Sequence, residues 1–404
     1  MNIETMIKVM QDPMGAPFYP IVFQILMVLT FSLHIIFVNL TIGTSAFAVY
    51  SHIKKGGYWP RLSTAMAKAT PVNVSMAMLL GVAPLLFVQV IYDPFWYASN
   101  TLSASWAMLF VAFMMIGYGL AYVFYLKRQK TESSGIVMAG VVSLVFFVLS
   151  GIIMHSLGYQ LLQPEKWLDW YVDGGRVDTS GSSLHSFHVP RFLHFMAPSF
   201  AITGVFMMLY AWYFKNRADM DKAYLGWVGK IGAKTAFLFT VIQAIIGFWW
   251  LLSLPGGLNF ITNPFFLIAL VLGIGLLLFL YIAQGDPNKY ALPVAAIAFV
   301  TIFGMSYARE ALRTLYLGRF GYSIFDYKVN LNIGSTILFL CTFAMGLVII
   351  SYFLTVLFKS GRMAGQYDAS PSMHQWGKIN ITLLLIWIAV VAGLGIVITA
   401  RNFF

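Results

Sequence analysis

The sequence predicts an all-α polytopic membrane protein of about ten transmembrane helices, with both termini on the outer side. Three observations carry this. The chain of 404 residues is 60% apolar and only 10% charged, where a soluble domain carries about 25% charged residues. Its apolar runs are long enough to cross a bilayer. Its basic residues fall unequally on alternate loops, as membrane topology demands.

Residues 1–19 are mixed and weakly amphipathic, with no basic leader region and no A-x-A cleavage site. They read as a segment lying on the outer surface rather than a removed signal. Spanning runs follow at 20–50, 70–92, 104–126, 136–162, 191–214, 231–254, 264–283, 290–317, 333–358 and 379–400. The whole of 1–404 reads as a single integral membrane domain whose bundle occupies 20–400. It shows no internal repeat, low-complexity segment or soluble module. Residues 163–190 and 318–332 form the longer loops, and loops of this length inside a bundle often bind.

One set of alternate loops and helix ends holds Lys54, Lys55, Arg61, Lys68, Lys127, Arg128, Lys130, Lys215, Arg217, Lys222, Lys230, Lys234, Lys289, Lys359, Arg362 and Lys378. The other holds Lys8, Lys166, Arg176, Arg191, Arg309, Arg313, Arg319, Lys328 and Arg401. The richer set is cytoplasmic by the positive-inside rule. The net charge of +11 is therefore topological, and no nucleic-acid partner is expected. The chain is expected in a bacterial or archaeal inner membrane as a multi-pass protein in contact with lipid. Its single cysteine, Cys341, rules out an internal disulfide and the C-x-x-C-H attachment of a covalent haem.

Ionisable residues inside a membrane are costly and mark function. His34 lies midway along the first run, His155 toward the outer end of the fourth, and His194 near the outer start of the fifth. Arg309, Glu310 and Arg313 lie toward the outer end of the eighth. Neutral imidazole suits haem iron, and equally an interhelical hydrogen bond. Glu310 suits iron ligation, proton relay or a salt bridge. Arg313, three residues on, shares its helix face and suits a haem propionate. Arg309, adjacent in sequence, points elsewhere. His52 and His374 read as solvated loop residues, and so, less strongly, do His185 and His188.

Three segments resemble subunit I of cytochrome bd ubiquinol oxidase. The first helix reads HIIFVNLTIGTSAFAVY, similar to the family's H-x-x-F-V-x-L-T-x-G. The fifth reads VPRFLHFMAPSFAITGVF, similar to its K/R-F-x-H start. The eighth reads SYAREALRTLYLG, similar to its A-E-x-G-R-Q segment. The resemblance covers roughly the first nine helices; the tenth looks additional. It implies that His34 ligates the oxygen-site haem, His194 the low-spin haem b and Glu310 the high-spin haem b, with Arg313 at the family's Arg position.

The chain also departs from the family. The third helix has no acid, the seventh has no Met, the loop after the sixth is only LPGGLNFITNP, and Ser306 stands for the family's Trp. His155 is the candidate replacement sixth ligand. The resemblance with these departures implies a membrane electron-transfer subunit of a respiratory complex. It would hold two or three non-covalent b-type haems and pass electrons between quinol and a c-type cytochrome or partner subunit on the outer side. A divergent terminal quinol oxidase reducing O2 is the alternative, and a haem-free membrane anchor or transporter the second alternative.

Overall fold

The computed structural model describes residues 2–128 and 134–403. Met1, residues 129–133 and Phe404 lie outside the described residues, and with them Lys130 of the basic set.

Ten helices are long and apolar enough to cross a membrane. They are α1 Pro20–Lys54, α2 Trp59–Ile91, α3 Ala104–Lys127, α4 Ser134–Gln160, α5 Val189–Phe214, α6 Lys222–Leu252, α7 Pro264–Ala283, α8 Pro287–Gly318, α9 Ile333–Gly361 and α10 Pro371–Phe403. All ten expected runs are found, and α2, α6 and α10 each start two to three turns earlier than hydropathy placed them. In α2 and α6 the added turns are polar, so an apolar window misses them. They are held by an aromatic and basic girdle. Trp59 lies 4.9 Å from Trp227 and 5.5 Å from Tyr50 between ring centroids. Lys54 sits 4.1 Å over Trp59, and Arg61 4.3 Å over Tyr224. Such amphipathic rings belong at membrane interfaces.

Proline punctuates the spans. Pro71 and Pro84 lie inside α2 and Pro293 inside α8. In α5 the helix breaks at Ala197, between Val189–Met196 and Pro198–Phe214. Pro198 has no N–H to offer the carbonyl of His194, so the chain bends one residue ahead of it.

The described chain divides into two compact units. The first comprises residues 1–212 and 223–330, the second 213–222 and 331–404. In the first unit α1 and α2 pack along their lengths, joined by small and hydroxylated residues. Thr70 and Asn73 donate to the Thr44 hydroxyl at 3.1 and 3.2 Å, and Ser199 donates to the Asn39 amide oxygen at 3.1 Å. Gly43 lies so close to the Ser199 carbonyl and Thr203 that a methyl group there has no room. Close approach at small residues is how helices pair without a hydrophobic driving force. In the second unit Tyr213 donates to the Phe358 carbonyl at 2.8 Å and Arg217 to the Gly361 carbonyl at 3.0 Å. The most apolar 18-residue stretches of α9 and α10 hold no buried residue, while the start of α10 buries Met373 and Asn380.

One end of the first unit is closed by short elements. An N-terminal helix, Ile3–Met10, buries Ile7 and is capped by the Asn2 side chain. Residues beyond it bridge a distant loop: Ala16 N–H donates to the Lys328 carbonyl at 2.9 Å, and Asn330 N–H to the Ala16 carbonyl at 2.8 Å. A helix at Asp93–Leu102 lies in what the sequence suggested was a short connection. The long loop is stitched down by Gln160, whose side chain bonds Ser103 at 3.0 Å and accepts from His185 N–H at 2.8 Å. Trp106 donates to the Ser182 carbonyl at 2.6 Å. Gly181, with φ +58°, packs against the Ala104 backbone where no side chain fits. A two-residue antiparallel hairpin, Val172–Asp173 with Arg176–Val177, turns through Gly174 and Gly175.

Candidate functional site

Below this closed end, a charged cluster forms where α1, α2, α4, α5, α6 and α8 converge. On α1, Gln24, Met27, Phe31 and His34 recur at helical spacing and present one stripe to it. On α8, Glu310 and Arg313 are buried, at 3% and 8% exposure.

Glu310 is the hub. Its Oε1 accepts the Tyr92 hydroxyl at 2.5 Å and the Gln24 amide at 3.1 Å. Its Oε2 lies 3.0 Å from Arg313 Nη1 in an ion pair without hydrogen-bond alignment. Arg313 also reaches Met27 Sδ at 3.6 Å and lies 4.8 Å over the Tyr92 ring. The expectation that Glu310 and Arg313 share a face holds in this geometry.

Arg309 does not point away as expected. It lines the same cavity as Arg313, with Arg191, Gly158, Tyr159, Leu162, Trp250, Leu312 and Tyr316. Adjacent residues on a helix are splayed by about 100°, but an arginine stem is long enough to bring its head back toward a neighbouring site. Its guanidinium stacks 4.1 Å over Phe31, and its Nε is buried without a hydrogen-bond partner. The cavity measures about 20 Å³, room for a water-sized group.

Two imidazoles flank this cluster. His34 is half-buried, and its Nδ1 lies 2.9 Å from the Ala77 carbonyl. If Nδ1 carries the proton, it donates there and leaves the Nε2 lone pair free. The ring lies against Gly81, where a Cβ would stand 2.8 Å from Cε1. His194 is seated the same way on Gly247, again 2.8 Å from Cε1, and its buried Nδ1 has no hydrogen-bond partner. Aromatic or cationic planes lie beside each. His34 lies 6.4 Å from Phe31, and Phe31 stacks under Arg309. On the other side of the cavity Trp250 lies 5.3 Å from His194.

His155 is engaged at both ring nitrogens. Its Nε2 accepts from His188 N–H at 3.3 Å, and its Nδ1 lies 3.4 Å from Arg191 Nη1. His188 caps the start of α5, and burial beside Arg191 lowers its pKa. His185 stacks on Trp170 at 5.2 Å. His155 and His188 thus pack together near the Gln160 end of α4, whereas His52 stands apart against Phe124.

A second polar cluster went unnoticed in the sequence. Asp93 accepts the Tyr327 hydroxyl and Asp12 N–H, the latter at 2.7 Å, and the Tyr322 hydroxyl donates to the Ile91 carbonyl. Burial raises the Asp93 carboxyl above its ordinary 3.8, against the pull of those donors. Its signal was Asp-Pro directly after an apolar run. Gln24, Tyr92 and Arg191 were also missed as site residues; the Gln24–Met27–Phe31–His34 spacing could have found the first.

No protein family and no curated protein matches the chain in sequence. Three solved chains match it in structure. One is from the bd oxidase of Geobacillus thermodenitrificans, with a TM-score of 0.63 and 13% identity over 85% of this chain and 99% of that one. The chain therefore has a cytochrome bd-like membrane fold.

Proposed function

We propose that this chain is a haem-carrying electron-transfer subunit of a respiratory membrane complex. The observation that carries the reading is the pair of imidazoles, His34 and His194, each seated on a helix glycine beside the arginine cluster of a bd-like bundle. Their chemistry fits haem b. Each is an imidazole nitrogen donor, His34 with Nε2 uncommitted and His194 with Nδ1 lacking an aligned hydrogen bond beside the Gln243 backbone, and Arg313 offers a cation for a propionate. Haem would supply one-electron redox chemistry.

The protein's own residues do the rest. The Ala77 carbonyl fixes the His34 ring, and Gly81 and Gly247 leave room for both imidazoles. Phe31 and Arg309 beside His34, and Trp250 beside His194, line the approach to the two sites. Glu310, held by Tyr92 at 2.5 Å, is placed to relay a proton through that hydroxyl. Iron ligation by Glu310 would require it to leave Tyr92 and Arg313, and ligation by His155 would cost the latter its contacts to His188 and Arg191.

In this reading the closed end faces outward. Electrons pass between quinol and a c-type cytochrome or partner subunit in a bacterial or archaeal inner membrane. Two or three haems are held. A dithionite-reduced minus oxidised spectrum of the purified protein, with and without carbon monoxide, tests it. Haem b bands insensitive to carbon monoxide are expected. A spectrum without haem bands refutes the reading, and a large carbon monoxide shift replaces it with an oxygen-reducing oxidase.

A further inference from the structure

We propose that the cavity framed by Arg191, Arg309 and Arg313 is an oxyanion site that takes a carboxylate or phosphate group. Three guanidinium groups line one cavity of about 20 Å³. One carboxylate, Glu310, pairs with one of them, Arg313, at 3.0 Å. Two positive charges are left over. Arg191 has only long contacts to neutral groups: 3.4 Å to the His155 carbonyl and Nδ1, and 3.5 Å to the Gly158 carbonyl. Arg309 rests on the Phe31 ring, with its Nε buried and without a hydrogen-bond partner. Glu165, whose field reaches Tyr159 and Tyr316, is itself exposed.

Uncompensated charge inside a membrane bundle is expensive. An anion with several acceptor oxygens answers three forks of donors at once. Tyr159, Tyr316, Leu162, Leu312 and Trp250 make the rest of the wall mostly apolar. As it stands the cavity has room for about one water, so the charged head of a larger molecule or a small free ion enters as the long arginine side chains draw back. The same chemistry has three sources: inorganic oxyanion, the phosphate of an anionic lipid, or the carboxylates of haem. The proposal reaches beyond the haem reading, because it needs no haem.

The sign of one substitution tests it. The full chain in neutral detergent is titrated with inorganic phosphate at constant ionic strength in chloride. Separately, it is placed in phosphatidylcholine discs with and without phosphatidylglycerol. The melting temperature is followed by tryptophan fluorescence, for protein from both haem-replete and haem-limited cells. The wild type is expected to gain several degrees from at least one oxyanion source. Arg309→Gln is expected to lose that gain and to melt below the wild type when the anion is present. Lys359→Gln, in the second unit, is expected to keep the gain.

A gain from phosphate assigns a free ion, and a gain confined to phosphatidylglycerol assigns a lipid headgroup. A phosphate gain seen only in haem-limited protein assigns the haem carboxylates. The proposal is overturned if no source raises the wild-type melting temperature and Arg309→Gln is as stable as wild type or more so. That is the behaviour of a buried cation that nothing pairs. Arg191→Gln serves in its place if Arg309→Gln is not recovered folded. Haem bands without any anion effect would sink this site alone, and an anion effect without haem bands would sink the haem reading alone.

Discussion

Replacing Glu310 by Gln tests whether the buried ion pair organises the site. Glu310 is 3% exposed, with Arg313 at 3.0 Å and the Tyr92 and Gln24 donors at 2.5 and 3.1 Å. The amide keeps an oxygen for Tyr92 and Gln24. It removes the charge facing Arg313, and leaves three unpaired guanidinium groups around one cavity. Breaking a buried pair from one side costs about 3–5 kcal/mol, so Glu310→Gln is expected to lose that much. Adding Arg313→Gln removes the stranded charge, and the double variant is expected to recover part of the loss, with a coupling of about 1–3 kcal/mol. The assay is equilibrium unfolding in mixed micelles of rising dodecyl sulphate content, in phosphate-free buffer, followed by tryptophan fluorescence. A single-variant loss below about 1 kcal/mol, or a double variant no better than additive, would refute the reasoning. The pair would then behave like a solvent-screened surface bridge.

Other outcomes follow from the packing. Gly81→Ala and Gly247→Ala each place a Cβ 2.8 Å from a histidine carbon, and each is expected to destabilise by about 1–3 kcal/mol. Gly275→Ala, which meets nothing within 4 Å, is expected to be neutral or slightly stabilising in the same melts. His155→Ala is expected to leave any haem bands in place while raising proteolytic cleavage of residues 163–190, because its ring holds His188 and Arg191; loss of a haem band would make it a ligand. Burial raises the Asp93 pKa above 3.8, so the folded state holds that proton more tightly than the unfolded chain. The contribution is then full at acid pH and lost as pH rises through the folded pKa. Asp93→Asn is expected to flatten the fall in melting temperature as pH rises above about 4; an unchanged slope would contradict this.

Much of the architecture was written in hydropathy. Ten runs became ten helices because a bilayer allows little else for a stretch of 20 apolar residues. The ends of α2 and α6 were not legible, since Trp59, Arg61, Tyr224 and Trp227 stabilise helix beyond the membrane by contacts between distant segments. His34, His194, Glu310 and Arg313 stood out because charge and imidazole are rare in such a chain. What gathers round them did not. Tyr92 sits at the end of an apolar run like any interfacial tyrosine, and only the fold brings its hydroxyl to Glu310. Arg191 and Arg309 read as separate residues 118 positions apart until α5 and α8 bring both to one cavity. The glycines under the two histidines were likewise invisible, since nothing local distinguishes Gly81 or Gly247 from the other helix glycines.

The bridge between Ala16 and the Lys328–Asn330 segment bears on how the protein is made. Ala16 leaves the ribosome well before its hydrogen-bonding partners, which are synthesised only after eight helices have been delivered to the translocon. At about 5–20 residues per second, that interval is roughly 15–60 s. Throughout it, Ala16 lacks both of these hydrogen bonds, although Asp12 and Ile7 already have Asp93 and its neighbours to pack on. Closure of this end is thus among the last events of biogenesis, so any prosthetic group destined for the site beneath has that interval in which to enter before the end seals.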